Sequence, residues 1–427
     1  MSSPIILSPR AVWTTWIVWG VLLIAACGVM FSQKGRRPVN DAYARGAARW
    51  VARQNLYEKE GWGFIYLPQA AVLYVPFSLV PKPWQDFLWR SVTVGLFALG
   101  LYRMCRMAGR MAGLEYFPLV SLFVLPKAWT LAINGQATPA MAGLSMLALA
   151  ELSSRRWWRA AALLILALAV KPLAIVLGLL IAALFRPMLS RLAVGMVILC
   201  AVPFLVQDSQ YVIEQYLGAI DMLGAAAGRG MTREWAQIFS LGSLAGIDIS
   251  QFWQTVVRIM AALGTLALCR QVLRRHGTSA VAGDFCKLRT DTSAPGRLAY
   301  ALIDIYAFAS AYLLLFNPRT ENNSYLILSP VIAILCLQAQ FVERRPIKAG
   351  LLGAAAVAIF SGHVLCTVLT PQAGFIWVGP LVCLLFSLGL IFEVVSSSVC
   401  RVSNLEPPGP NRIDSMPSVV PMSVAEG

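Results

Sequence analysis

The sequence predicts an all-α polytopic integral membrane protein, and three observations carry that prediction. The chain of 427 residues is 58% hydrophobic and only 13% charged. Its mean hydropathy is +0.68, whereas a soluble domain sits near half apolar and a quarter charged. Apolar runs recur from residue 11 to residue 396, which separates a polytopic chain from a soluble domain with one anchor. In lipid every backbone polar group must be satisfied within its own segment, so the spans are helices. A closed barrel would show short alternating segments instead.

The runs divide into about twelve transmembrane helices, near 11–32, 86–105, 116–133, 138–152, 159–171, 172–185, 191–207, 252–270, 297–316, 323–341, 349–368 and 375–396. The first could pass for a signal peptide, and Ile24-Ala25-Ala26-Cys27 resembles a lipoprotein cleavage site. The length of the run and the spans behind it favour a helix that stays. Residues 65–80 are apolar but short, and Pro68, Pro76, Pro81 and Pro83 punctuate them. If they crossed, the clusters Arg103/Arg106/Arg110, Arg155/Arg156/Arg159 and Arg344/Arg345/Lys348 would all lie outside, against the positive-inside tendency. Read as an interfacial helix, 65–80 leaves all three inside, with Arg186, Arg191 and the basic loop Arg270 to Arg297. Residues 159–185 are flanked by basic loops, so they should cross and return, turning at Lys171-Pro172; two arms so short need a protein-walled cavity.

This gives one transmembrane domain over 1–396. Its outer loops are 33–85, with interfacial helices, and 208–250. Residues 397–427, rich in Pro and Ser, read as a disordered cytoplasmic tail. Both termini fall in the cytoplasm, and the membrane is the cell inner (plasma) membrane. The net charge of +15 lies mostly in topology-setting loops, so no nucleic-acid partner is expected. The nine Cys are scattered, mostly in spans, and His276 and His363 are far apart, so no metal site is expected.

One loop resists the charge rule. Residues 33–64 carry Lys34, Arg36, Arg37, Arg45, Arg49, Arg53 and Lys59 yet fall outside, against Asp41, Glu58 and Glu60. An anionic ligand is the simplest reason; the other is that orientation is a summed bias which one loop can lose. Residues 40–54 have helical spacing, with Tyr43, Ala47, Trp50 and Val51 as the apolar stripe and Asp41, Arg45 and Arg49 along another face. Asn40 can cap this helix. Asp41 is then either a helix-start residue paired with Arg45, or a base held beside phosphate-binding guanidiniums; the charge anomaly favours the second. Asn134-Gly135-Gln136, Lys171-Pro172 and Asn317-Pro318-Arg319 through Tyr325 fall on the same outer side. Lys171 and Arg319 either clamp a phosphate or snorkel to the interface. Arg258 and Asp304 also lie in spans, toward opposite ends, and are not expected to pair.

The ordered set of motifs resembles glycosyltransferase family 87, integral membrane enzymes of the GT-C class that take mannose from a polyprenyl-phosphate carrier. The residues that carry the resemblance run across 11 to 340. They are Asp41-Ala42-Tyr43 with Tyr57, Tyr66-Leu67-Pro68 with Pro76, Asn134-Gly135-Gln136, Lys171-Pro172, and Asn317-Pro318-Arg319 leading to Tyr325. The resemblance implies a GT-C-like bundle with Asp41 as catalytic base. Asn40, Tyr43, Arg45, Arg49, Tyr66, Asn134, Gln136, Lys171, Arg319 and Tyr325 are the expected substrate-binding residues. The implied donor is a polyprenyl-phosphate sugar, the acceptor a glycolipid or glycan on the outer face, and no metal or other cofactor is required. A lipid-phosphate donor brings a good leaving group, so the chemical need is a carboxylate that deprotonates the acceptor and cations that meet the departing phosphate. A transporter or flippase of a lipid-linked sugar is the alternative. It would more often show related halves and midplane ionisable pairs, neither of which is clear here. A non-catalytic scaffold fits less well with the polar residues gathered on one face.

Overall fold

A computed structural model describes residues 9–32, 38–57, 63–112, 114–228, 235–276, 294–370 and 376–403. Lys34, Arg36, Arg37, Glu58, Lys59, Glu60, most of the basic loop before Arg297 and the tail from residue 404 lie outside them. The described residues are helical, without strands. The helices are α1 Pro9–Ser32, α2 Asn40–Val51, α3 Pro68–Ser78, α4 Lys82–Ala112, α5 Phe117–Asn134, α6 Thr138–Ser153, α7 Trp157–Val170 and α8 Ile175–Leu184. Then come α9 Arg186–Ala201, α10 Ser209–Gly228, α11 Ile238–Leu244, α12 Gln251–Arg275, α13 Ala294–Phe316, α14 Ser329–Phe341, α15 Pro346–Leu369 and α16 Val378–Ser403.

Among the described residues eight helices are long and apolar enough to cross a membrane: Pro9–Ser32, Phe117–Asn134, Arg186–Leu205, Gln251–Arg275, Gly296–Phe316, Asn322–Phe341, Pro346–Leu369 and Val378–Ser396. The other four expected spans are helical as α4, α6, α7 and α8 but do not meet both conditions. α4 is long but carries charges along its length, while α6, at 16 residues, measures about 24 Å against a hydrocarbon core of about 30 Å. α6 survives because protein covers it almost all round. Its Gly143 meets Gly100 of α4 so closely that a Cβ on Gly100 would stand 2.7 Å from the Gly143 Cα. Small residues permit that backbone approach, which replaces the side-chain burial of a longer helix.

The centre of the bundle is α13 and the stretch Asn322–Phe341, buried over 83% and 89% of their apolar windows. α9 and α12 are at the rim, at 17%, and away from the helix ends their exposed residues are mainly apolar, as on a lipid-facing surface. Residue 65–80 folds as α3, about 16 Å long with Pro76 inside it, too short to cross. α3 packs on α2, α4, α7 and α10. With α2 it builds a separate small core of Tyr43, Trp50, Phe64, Tyr66, Tyr74 and Trp89, a cap on one end of the bundle. At the other terminus α16 runs past residue 396 to Ser403, beyond the expected end of the last span.

Contacts separate the two ends of the bundle. At one, the α2 segment, residues 134–138, Lys171, residues 207–215, residues 235–237 and residues 318–325 are tied together by hydrogen bonds. At the other, Arg103, Arg156 and Arg159 share Glu151, and Lys348 lies between Glu343 and Glu393. Lys82 and Arg103 lie on one helix, about 31 Å apart along its axis. The outer-loop motifs therefore share an end, and the basic clusters gather at the opposite one. As expected, Arg258 and Asp304 do not meet. The Arg258 guanidinium donates to the Phe316 carbonyl at 3.0 Å, while Asp304 faces His276 at 3.4 Å.

Candidate functional site

α2 forms where its sequence predicts, and Tyr43, Ala47 and Trp50 are buried. Two details differ. Val51 points outward at 60% exposed, and Gly46 takes its place in the buried stripe. Asn40 is not the cap: Val39 precedes the helix without a side-chain cap, and Asn40 is its first residue. The Val39 N–H donates to the Asn134 carbonyl at 2.9 Å, which fastens the start of α2 to the end of α5. The Asn40 side chain turns inward, its Nδ2 donating to Asp86 Oδ1 at 2.6 Å. The Asp86 carboxylate accepts from the amide Nδ2–H, a bond that a helix N-terminus, which offers only donors, cannot supply, and this orientation takes the asparagine side chain away from the cap.

The Asp41 carboxylate is partly exposed and pairs with the Lys82 ammonium. This partner comes from α4 and not from the Arg45/Arg49 face of its own helix. Lys82 also approaches Asp86 Oδ1 at 3.2 Å, and Arg90 reaches the same oxygen at 3.9 Å. Arg90 is fully buried; it donates to the Ala132 and Ile133 carbonyls, 3.0 Å each, at the end of α5. Both lie in the last turn of α5, where carbonyls run out of intrahelical donors; the Gly135 N–H also reaches Ala132, at 3.2 Å. Trp89 Nε1 donates to the Gly135 carbonyl at 2.9 Å. Gly135 itself has φ +61, and a Cβ there would stand 2.6 Å from Asn40 Oδ1. Both the left-handed backbone and the contact require glycine. The sequence signal for Lys82, Asp86 and Arg90 is their spacing of four on one helix.

A second polar group lies beside this one. Lys171 Nζ donates to Thr138 Oγ1 at 2.8 Å, Thr138 Oγ1 to Gln136 Oε1 at 3.5 Å, and Gln136 Nε2 to Glu321 Oε2 at 3.4 Å. Tyr43 joins the two groups. Its ring stacks on Tyr66 at 4.2 Å and lies against Trp89 at 5.0 Å, while its hydroxyl donates to the Val170 carbonyl at 3.3 Å, next to Lys171. Burial raises the Tyr66 phenol to about 12, the Tyr43 hydroxyl pulls it down, and the Glu321 charge adds to the rise. Tyr66 therefore stays a neutral hydroxyl at any physiological pH.

The remaining expected residues divide. Asn134 lies at the end of α5, joined to Val39 through its carbonyl, and Arg45 and Arg49 stay on the outward side of α2. Arg319 stacks on Trp235, with 5.6 Å between guanidinium and ring centroid. Tyr325 is fully buried, and its hydroxyl donates to the Ala236 carbonyl at 3.0 Å. It holds 235–237 against the bundle and reaches nothing outside. Lys82, Asp86, Arg90, Thr138 and Glu321 are the members of the site not singled out from sequence. Among the described residues no three of His, Cys, Asp and Glu gather as metal ligands would.

Both groups together offer three carboxylates at an end walled by aromatic side chains: Asp41 and Asp86, both against the Lys82 ammonium, and Glu321, linked through Gln136 and Thr138 to Lys171. Such an arrangement can accept a proton at one oxygen and hold an anion at its cations. The sequence model of glycosyltransferase family 87 matches residues 64–286, just over half of the chain. The matched stretch takes in α3 through α12; Asp41 and Glu321 lie on either side of it. No curated protein matches the chain.

Proposed function

The chain belongs to glycosyltransferase family 87 and is a membrane glycosyltransferase, and from that premise we propose that it moves a hexose, mannose first among candidates, from a polyprenyl-phosphate carrier to a glycolipid or glycan acceptor. The site end of the bundle faces the periplasmic or extracellular side of the plasma membrane, and Asp41 is the general base. The observation that carries this reading is the Asp41 carboxylate at the rim of the capped end, against the Lys82 ammonium.

In the proposed step the acceptor hydroxyl gives its proton to Asp41 as its oxygen bonds to the anomeric carbon. The bond from that carbon to the phosphate oxygen breaks, and its electron pair leaves on the polyprenyl phosphate. A single displacement of this kind inverts the anomeric centre. Lys82 and Lys171 meet the growing phosphate charge, with Arg45, Arg49 and Arg319 along the approach. Asn40 and Asp86 hold Lys82 and the start of α2 in register, and Tyr43, Tyr66, Asn134 and Gln136 form the wall against which the sugar sits. The carrier's tail lies among the lipid-facing helices. The donor supplies its own leaving group, and no cofactor enters the scheme.

A second reading rests on the Glu321 carboxylate, which accepts from Gln136 Nε2 at 3.4 Å in the group that holds Lys171 and offers another oxygen able to take the proton. Transfer from polyprenyl-phosphate mannose in isolated membranes separates the two. Asp41→Asn and Asp41→Ala should each lose roughly a hundredfold or more, the range for removing a general base. Glu321→Gln should keep a substantial fraction. The reverse pattern assigns the base to Glu321, and near-normal turnover in both Asp41 variants removes Asp41 from the mechanism. Running polyprenyl-phosphate glucose in parallel tests the sugar.

A further inference from the structure

A groove of about 910 Å³ runs between α15 and α16 at the end of the bundle away from Asp41. Its walls are apolar, with Leu351 and Leu385 largely exposed and Phe386 and Leu390 buried beneath them. The floor is low because Ala354, Ala355, Ala358 and Gly389 carry little or no side chain. Its mouth is charged. Lys348 sits between Glu343 and Glu393, which leaves the neighbouring Arg345 guanidinium exposed and without an acidic partner among the described residues. From Lys348 to Ala358 the trough is about 15 Å long, half of a hydrocarbon core of about 30 Å. A basic mouth at the polar boundary and a trough one leaflet deep are the two parts of a phospholipid site.

We infer that this groove binds one membrane phospholipid with an anionic headgroup, the headgroup at Arg345 and an acyl chain along Leu351, Ala355 and Gly389. Charge selects the headgroup, because Lys348 is already neutralised and Arg345 is not. The site is separate from the transfer chemistry and does not rest on the identity of donor or base.

The test uses the full chain purified in detergent, with phosphatidylglycerol and phosphatidylcholine of identical acyl chains as probes. Native mass spectrometry reads bound lipid, and thermal melting reads stabilisation. The unaltered protein should retain phosphatidylglycerol about fivefold better than phosphatidylcholine, the effect of one basic residue at an anionic surface. Arg345→Gln should bring the two to the same level. It changes an exposed side chain, so its lipid-free melting temperature should not move. Gly389→Phe should remove both lipids; a Cβ at Gly389 meets no atom within 4 Å, so the new ring fills the trough without a clash. Equal retention of the two lipids by the unaltered protein overturns the proposal, as does unchanged phosphatidylglycerol binding in Arg345→Gln. Preference for a polyprenyl phosphate over phosphatidylglycerol, or a dimer that Gly389→Phe dissolves, assigns the groove to another occupant and overturns it equally.

Discussion

The two ends of the bundle are built from the same parts and put them to different use. At the far end Glu151 gathers Arg103, Arg156 and Arg159, whose side chains are 42%, 51% and 71% exposed. Glu151 itself is 12% exposed, but its cations reach into solvent, and pairs with such exposed cations contribute about 0–1 kcal/mol each while their charge sets topology. At the site end a carboxylate again meets cations, but Arg90 beneath it is fully buried, and an aromatic cap covers the group. Charge is costly there, so each member is tied to a helix end or to another member. The difference teaches that cation count alone says little; what marks a site is the burial of the residue behind the exposed pair.

The comparison can be broken in order of effect. The largest loss of stability should follow Arg90→Leu, which strips Asp86 of a buried partner and takes from the Ile133 carbonyl its guanidinium donor. Breaking a buried pair costs about 3–5 kcal/mol, so detergent melting should fall steeply. Next comes Gly143→Leu, whose side chain must displace the α4 backbone at Leu96 and Phe97. Overpacking costs about 1–3 kcal/mol, and backbone contacts place this case at the upper end. Lys82→Met should leave melting nearly unchanged, since its side chain is 50% exposed, and raise the donor KM about tenfold, in line with the roughly 1.5–3 kcal/mol of a hydrogen bond to a charged group. Smallest of all, Arg103→Ala should cost under about 1 kcal/mol and leave transfer untouched, because Arg156 still meets Glu151. A large effect at Arg103 with none at Arg90 would invert the comparison.

Much of the fold was legible because lipid imposes few options: recurrent apolar runs must be helices, and basic loops must collect at one end. The α2 stripe was legible at Tyr43, Ala47 and Trp50 for the same periodic reason. Span count was less so: about twelve were expected and eight helices among the described residues are long and apolar enough, while α6, named as a span from its apolar run, has only 16 residues and packs through Gly100 and Gly143. The site was half legible. Asp41, Gln136 and Lys171 stood out as polar residues at the edges of apolar runs. Lys82, Asp86 and Arg90 did not, because they open a long helix ahead of its apolar run and read as its boundary. The bond from the Tyr325 hydroxyl to the Ala236 carbonyl was not legible, because it joins residues eighty-nine positions apart. Asn40 was misjudged because local capping rules cannot see Asp86, forty-six residues on.

The most direct test sets one carboxylate from each end against the other: single-turnover transfer from a polyprenyl-phosphate sugar by Asp41→Asn and Glu151→Gln, in membranes holding equal amounts of protein. Asp41→Asn should fall to about a hundredth of the unaltered rate or below, while Glu151→Gln should stay within about twofold of it. Equal rates in the two variants, or the greater loss in Glu151→Gln, would contradict the assignment of the chemistry to the capped end.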